Sequence, residues 1–252
     1  MVERKLLIEY CDELLNSRGF SDYGPNGLQV EGREQIQTLI SGVSASQALL
    51  DAAVNLHADA ILVHHGYFWK GESPCVVGMK QRRLKTLLCA DINLIGYHLP
   101  LDAHPELGNN AQLAGLLGLE IQGAFAWHAE QAIGLHGKLK TAATPNALTQ
   151  QIESALGRTP LHIDAGRKTI SRVAWCSGAA QSHLDEAVEL GVDAFITGEI
   201  SEYSVHVARE RGIHFYAAGH HATERYGVQA LGAHLAQKFA IQHHFIDIDN
   251  PV

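Results

Sequence analysis

Sixteen histidines stand in this 252-residue chain, and several adjoin one another or a carboxylate at short spacing. His64 and His65 are neighbours, His98 precedes Asp102 by four positions, and His220 precedes Glu224 by the same interval. Glu199 follows a glycine at the end of a further apolar run. Imidazoles mixed with carboxylates suit borderline divalent metals such as Zn, Fe, Mn, Co or Ni. Two such ions about 3.5–4 Å apart can bind a water between them, lower its pKa and clamp a substrate oxygen. Taken singly, each fragment has a blander explanation. An isolated histidine at a strand end is more often a hydrogen-bonded structural residue than a ligand. His-x-x-x-Asp arises by chance in many chains, and Pro100 puts that segment in a turn or a first helical turn.

The elements that must position these groups give them weight. A strand is expected over Thr38 to Val43, with Ser44 as the N-cap of a helix from Ala45 to Leu56. The buried strand Ala60 to Val63 then ends in His64-His65-Gly66. A helix over about Lys80 to Ala90 leads to the strand Asn93 to Tyr97, which ends at His98-Leu99-Pro100-Leu101-Asp102. Strand–helix–strand order favours a parallel sheet. The pattern recurs as strand Arg172 to Cys176, helix Ser182 to Leu190, and strand Ala194 to Thr197 ending in Gly198-Glu199. A helix over Tyr203 to Arg211 and the strand His214 to Ala217 follow, ending at Gly219-His220-His221-Ala222-Thr223-Glu224.

A shift of 134 positions lays Ala45 on Ala179, Leu50-Asp51 on Leu184-Asp185, Ala53-Val54 on Ala187-Val188 and Asp59-Ala60 on Asp193-Ala194. A shift of 122 lays His98 on His220 and Asp102 on Glu224. Such self-similarity indicates a duplicated unit. In open parallel sheets, ligands bind beyond the carboxyl ends of the strands, where all these groups lie. The expected fold is therefore α/β, with two similar, duplicated lobes, mainly parallel sheets and a dimetal site in the cleft between them. The expected first lobe spans 1–121. Residues 122–252 hold a linking region and the second lobe, and the C-terminal segment packs back on the first lobe in one variant of this scheme. The link, about Glu120 to Lys168, has a helix after Thr144-Pro145 and no assigned chemistry. An amphipathic helix is expected within Met1 to Phe20, a short strand at Leu28 to Val30, a helix over Gly227 to Phe239 and a strand over Phe245 to Ile248.

Composition narrows the function classes. Hydrophobic residues make up 46% and charged residues 18%, which is globular rather than disordered. The net charge of −8 offers no basic stripe for nonspecific nucleic-acid binding. The first helix lacks the apolar core of a signal peptide, and no run approaches a membrane span, so the cytoplasm is the default location. Cys11, Cys75, Cys89 and Cys176 are scattered and read as reduced residues without a nucleophilic partner. His104, His162, His183, His206 and His214 read as surface or packing residues without a partner, and His243-His244 as preceding a strand. Tyr67, Phe68 and Trp69 read as local packing, with base stacking at the site mouth as the minority option. His128-Ala129-Glu130 echoes zinc deaminases but lacks the Pro-Cys-x-x-Cys that completes that motif. Phosphate-binding and nucleophile-elbow glycine motifs are absent from the sequence.

Ser21-Asp22-Tyr23-Gly24-Pro25-Asn26-Gly27-Leu28-Gln29-Val30, His64-His65-Gly66, His98-x-x-x-Asp102 and Gly219-His220-x-x-x-Glu224 together resemble the NIF-three-like family, whose bacterial members are named GTP cyclohydrolase I type 2 homologues. The resemblance covers nearly the whole chain and is to short bacterial members that lack an inserted middle domain. It implies two divalent ions held by His64, His65, Asp102, His220 and Glu224, with His98 close by. It also implies a ring-shaped homohexamer whose metal sites face an inner cavity. The activity it suggests is metal-dependent hydrolysis of a nucleotide or related heterocycle. Attack would fall at C8 of a guanine ring or at phosphorus, with Glu199 or His98 moving protons. The alternative is a non-catalytic metal-binding or regulatory protein acting through its oligomeric surface.

Overall fold

The computed structural model describes residues 1–128 and 130–252, so the middle of His128-Ala129-Glu130 lies outside the described residues. The chain opens with strand β1 (Val2–Glu3) and helix α1 (Arg4–Leu14), which buries Leu7 and Cys11. Helix α1 is shorter than the expected span because Asn16 turns to a left-handed φ of 48° and a 3-10 turn follows at Ser17–Gly19. Strands β2 (Gly27–Val30), β3 (Gln35–Ile36) and β4 (Thr38–Ser44) come next. Helix α2 (Gln47–Asn55) is capped by Ser46, whose hydroxyl accepts from the Leu49 N–H at 3.3 Å. The cap thus lies two residues beyond the expected Ser44, which stays in β4 opposite His65. Strand β5 (Ala60–His65), helix α3 (Gly78–Ala90), strand β6 (Asn93–Gly96) and the short helix α4 (Leu99–Ala103) complete this half.

Helix α5 (Asn109–Leu116) leads to the long hairpin of β7 (Leu119–His128) and β8 (Gln131–Ala143). Helix α6 (Pro145–Leu156) begins with Pro145 and is capped by the Thr144 hydroxyl. Then come β9 (Leu161–Ile163), β10 (Ile170–Cys176), helix α7 (Leu184–Glu189), β11 (Ala194–Thr197), helix α8 (Glu202–Arg211) and β12 (His214–Ala217). Helix α9 (His220–Phe239) starts seven residues before the expected Gly227, and β13 (Gln242–Phe245) lies three residues before its expected place. His243 and His244 are therefore inside a strand, not ahead of one.

The chain divides into two compact units: Met1–Leu101 with Gly227–Asp249, and Asp102–Tyr226 with Asn250–Val252. The tail returns to unit 1 as β13 beside β4. Unit 1 carries a five-stranded sheet in the order β13-β4-β5-β6-β2, parallel except for β2 at one edge. Ile40, Leu49, Leu50, Ile61, Val63, Leu87 and Leu94 fill its core. Full burial of each such side chain contributes about 1.5–3 kcal/mol.

Unit 2 carries a six-stranded sheet in the order β7-β8-β10-β11-β12-β9. Only β10, β11 and β12 run parallel there; β7, β8 and β9 pair antiparallel. This corrects the expectation of a mainly parallel sheet in unit 2. The hairpin between β7 and β8 is too short for the crossover that parallel strands require. The supposed link thus supplies half the strands of the sheet. Trp175, Ile196 and Tyr216 anchor one core of unit 2, and Phe125, Phe195 and Phe215 the other. Each unit winds strand, helix, strand, helix, strand, with the three strands adjacent and parallel, so the fold is mixed α/β. Among the described residues no helix is long and apolar enough to cross a membrane.

Candidate metal centre

In unit 1, His64 and His65 end strand β5 and His98 follows β6. Adjacent parallel strands deliver all three imidazoles to one sheet edge, with ring nitrogens within 4.8 Å of one another. Each Nδ1 is engaged elsewhere. His64 Nδ1 donates to the Tyr97 carbonyl at 3.0 Å, so the tautomer leaves Nε2 unprotonated. His65 Nδ1 meets the Ser44 hydroxyl at 3.1 Å, and His98 Nδ1 meets the Asp22 carboxylate at 2.7 Å. This is the usual arrangement behind metal-ligating histidines, whose second nitrogen is held by an outer partner.

Asp22 does more than hold His98. Its carboxylate accepts from the backbone N–H of Tyr23 at 2.6 Å and of Leu99 at 3.0 Å, and from Asn26 Nδ2 at 2.9 Å. Asn26 in turn accepts from the His98 N–H at 2.8 Å. Burial opposes ionisation of Asp22, but the His98 imidazole first, then Asn26 and the Tyr23 N–H, outweigh it and hold the carboxyl at about 2. The Trp69 ring stands edge-on to His98 at 5.1 Å, so one residue of the Tyr67-Phe68-Trp69 run flanks the imidazoles. Gln29 sets the turn after β5: it accepts from the Tyr67 N–H and donates to the Pro25 carbonyl, each at 2.7 Å. It lies so close to Gly66 and Gly96 that a Cβ there would come within 2.0 and 2.8 Å of its amide.

In unit 2, His220 and Glu224 share the first turn of α9, with Nε2 and Oε2 3.1 Å apart. The expected spacing of four thus resolves as one helical turn, which puts both side chains on one face. His220 Nδ1 meets Glu199 Oε1 at 2.6 Å. Burial disfavours a charge on His220, but Glu224 and Glu199 prevail and raise its pKa to about 9. Asp102, in α4, accepts from Asn109 Nδ2 and the Ser177 hydroxyl, both at 2.9 Å. Asp102 and Glu224 are buried, yet their carboxylate oxygens lie within 4.8 Å of each other. Buried like charges at that range are costly unless a cation or proton joins them. Gly178 leaves the room this requires: a Cβ there would come within 2.2 Å of Glu224 Oε1. Within unit 2, the buried carboxylates of Asp102 and Glu224 with the oriented His220 imidazole therefore fit borderline divalent ions.

The sequence assigned none of Asp22, Ser44, Asn109 and Ser177 as partners of the candidate ligands. Asp22 and Asn26 carried one signal, as side chains that fix their own turns within a run of turn formers. All five histidines expected to lack partners have them: His104 Nδ1 accepts from the Leu107 N–H at 3.0 Å. His183 meets Glu186 at 2.7 Å, His206 meets Glu202 at 3.3 Å, and His162 meets His214 at 3.0 Å. The cysteines form no disulfide among the described residues. Burial first, then Asp102, Glu224 and Glu186, pushes the Cys176 thiol well up, which rules out a thiolate there at neutral pH.

The family profile described as Duf34/NIF3 (NGG1p interacting factor 3) matches residues 2–251. A Pseudomonas aeruginosa protein named GTP cyclohydrolase 1 type 2 homolog is 60% identical over 245 residues, covering 97% of each chain. The Escherichia coli K12 protein of the same name is 57% identical over 246 residues, covering 97% of this chain and 98% of its own. A solved structure titled protein ybgI, unknown function, superposes with a TM-score of 0.96 at 56% identity, covering all of both chains. A Thermus thermophilus protein does so with a TM-score of 0.90 at 34% identity, again over both full lengths. By profile, by relatives and by fold, the chain belongs to the Duf34/NIF3 family.

Proposed function

We propose that this protein is a dinuclear divalent-metal hydrolase acting on a nucleotide or a related heterocycle, with His64, His65, Asp102, His220 and Glu224 as ligands. The observation that carries the reading is the common anchoring of the histidines. His64, His65, His98 and His220 each commit Nδ1 to a different partner, which leaves Nε2 for ligation or proton transfer. Packing alone has no need for four imidazoles turned the same way. The name borne by the Pseudomonas aeruginosa and Escherichia coli relatives supports a cyclohydrolase-like reaction. Bound divalent ions would supply Lewis acidity and an acidified water at neutral pH.

The chain's own residues would do the rest. Glu199, tied to His220 at 2.6 Å and about one-third exposed, is placed to take or return a proton. His98, held by the ionised Asp22, would carry a proton at Nε2. Trp69, beside His98, offers a flat face for a heterocycle. The matching strand–helix winding of the two units supports duplication, and the family resemblance supports assembly as a homohexamer, which light scattering would read as a mass of six chains.

The test is turnover of GTP and of phosphate-ester nucleotides by metal-reconstituted protein, alongside His64→Ala. Hydrolysis by the wild type that disappears in the variant supports the proposal. If both are inert although the wild type holds its metals, the protein is a metal-binding or regulatory protein instead.

A further inference from the structure

Unit 2 holds a second set of candidate ligands that the dinuclear reading does not use. His162 lies on β9 and His214 on the neighbouring β12, with Asp164 just past the end of β9. The registry of these antiparallel strands sets His162 opposite Tyr216, and the two rings stack at 4.5 Å. His162 Nε2 lies 3.0 Å from His214 Nδ1, and Asp164 Oδ1 lies 3.6 Å from the same nitrogen.

The protonation of His214 can be read from its neighbours. Its Nε2 faces the Arg167 carbonyl at 2.9 Å, and a carbonyl only accepts, so Nε2 carries the hydrogen. Its Nδ1 receives the Ala165 N–H at 3.4 Å, and an amide N–H only donates, so Nδ1 carries the lone pair. A fully buried imidazole thus carries its Nδ1 lone pair on the side of His162 and Asp164. Backbone fixation of the far nitrogen is the outer support typical of metal-bound histidine.

We propose that His162, Asp164 and His214 form a separate mononuclear site for a divalent transition ion, best suited to zinc. The spacing supports this. Donors about 2.0–2.2 Å from a tetrahedral zinc stand about 3.4 Å from one another, and the two distances from His214 Nδ1 fall either side of that value. Two imidazoles and one carboxylate leave a fourth position for water or a small anion. His162 and Asp164 line a cleft of about 530 Å³ together with Thr144, Asn146 and Lys168, so such a ligand has access and a counter-ion. Arg167 does not compete with the ion, because its guanidinium is taken up by Asp193 and the Gly212 carbonyl.

Zinc titrated into chelator-treated full-length protein tests the proposal, with cobalt as a spectroscopic reporter. The wild type should bind one more equivalent than His162→Ala/Asp164→Asn, and His65→Ala should keep that equivalent while losing ions at the dinuclear ligands. Asp164 is exposed, so Asp164→Asn alone keeps the fold and should weaken this one ion by about 10-fold or more. If the wild type and both variants take up equal zinc with equal affinity, the close His162–His214 contact is a plain hydrogen bond and the proposal fails. Loss of zinc only in His65→Ala has the same meaning, and leaves the dinuclear reading intact.

Discussion

Units 1 and 2 run the same course of three adjacent parallel strands with helices between, yet they present different donors at matching strand ends. Strand β5 finishes on His64-His65, whereas β11 finishes before Gly198-Glu199. After β6 the chain makes a five-residue helix, α4, in which Asp102 is bonded by Asn109 and Ser177 while His98 turns back to Asp22. After β12 it makes the twenty-residue α9, which keeps His220 and Glu224 on one turn. One scaffold thus yields a nitrogen-rich edge in unit 1 and an oxygen-rich one in unit 2. The backbone sets where a donor stands, and the side chain at that place sets what it does.

The largest expected contrast lies between the two strand ends. His64→Ala should weaken metal binding by more than about 100-fold, since even outer partners of ligands contribute about 10–100-fold. Glu199→Gln should keep its metals within about 10-fold while turnover falls by about 100-fold or more. Competition with a chromogenic chelator, run beside a turnover assay, separates the two. Equal metal loss in both variants would break the comparison and make Glu199 a ligand.

Gly178→Ala probes the room around the unit 2 carboxylates. Gly178 has a φ of +66°, and an added Cβ would strike Glu224. A loss of about 2–4 kcal/mol in denaturant melts is expected, together with weaker metal binding. Wild-type stability with unchanged metal uptake would remove Gly178 from the account.

Asp22→Asn probes the unit 1 side, with an expected cost of about 1–3 kcal/mol from a buried charged acceptor. The carboxyl is held at about 2, below its ordinary 3.8. Its stabilisation is therefore fully present above pH 3.8 and fades as the pH falls through about 2. Melts of metal-free protein across that window should show a shallower acid limb in the variant.

The smallest effect concerns how the first helices begin. Ser46 caps α2, but its counterpart at the 134-position shift is Ala180, which has no side chain to cap with. Unit 2 accordingly enters α7 through a 3-10 turn at Gln181–His183. Ser46→Ala should cost about 1 kcal/mol in a thermal or denaturant melt. A neutral result would show that α2 tolerates the same entry as α7.

What could be read from the sequence follows from how local each signal is. The apolar runs Ala194 to Thr197 and His214 to Ala217 were placed to the residue, because a buried parallel strand is written in consecutive side chains. The start of α9 was not, since Gly219-His220-His221 has no capping residue to announce it. The β7–β8 hairpin was invisible because its half-exposed strands mix polar, apolar and glycine residues without clean alternation. The proposed ligands stood out by residue type and spacing. Their supports did not: Asp22 reaches His98 across 76 residues and Ser177 reaches Asp102 across 75, and one sequence carries no trace of such pairings.

Gln29 ties together three positions that sequence drift must treat as one. Its amide occupies the space that side chains at Gly66 and Gly96 would fill, while bridging Pro25 to Tyr67. A larger residue at either glycine is viable only after Gln29 has shortened, and a shortened Gln29 opens a void beside the histidine-bearing strand. Among distant relatives the three positions should change in concert or not at all, so a joint change at 29, 66 and 96 would mark lineages in which the turn after His64-His65 has been rebuilt.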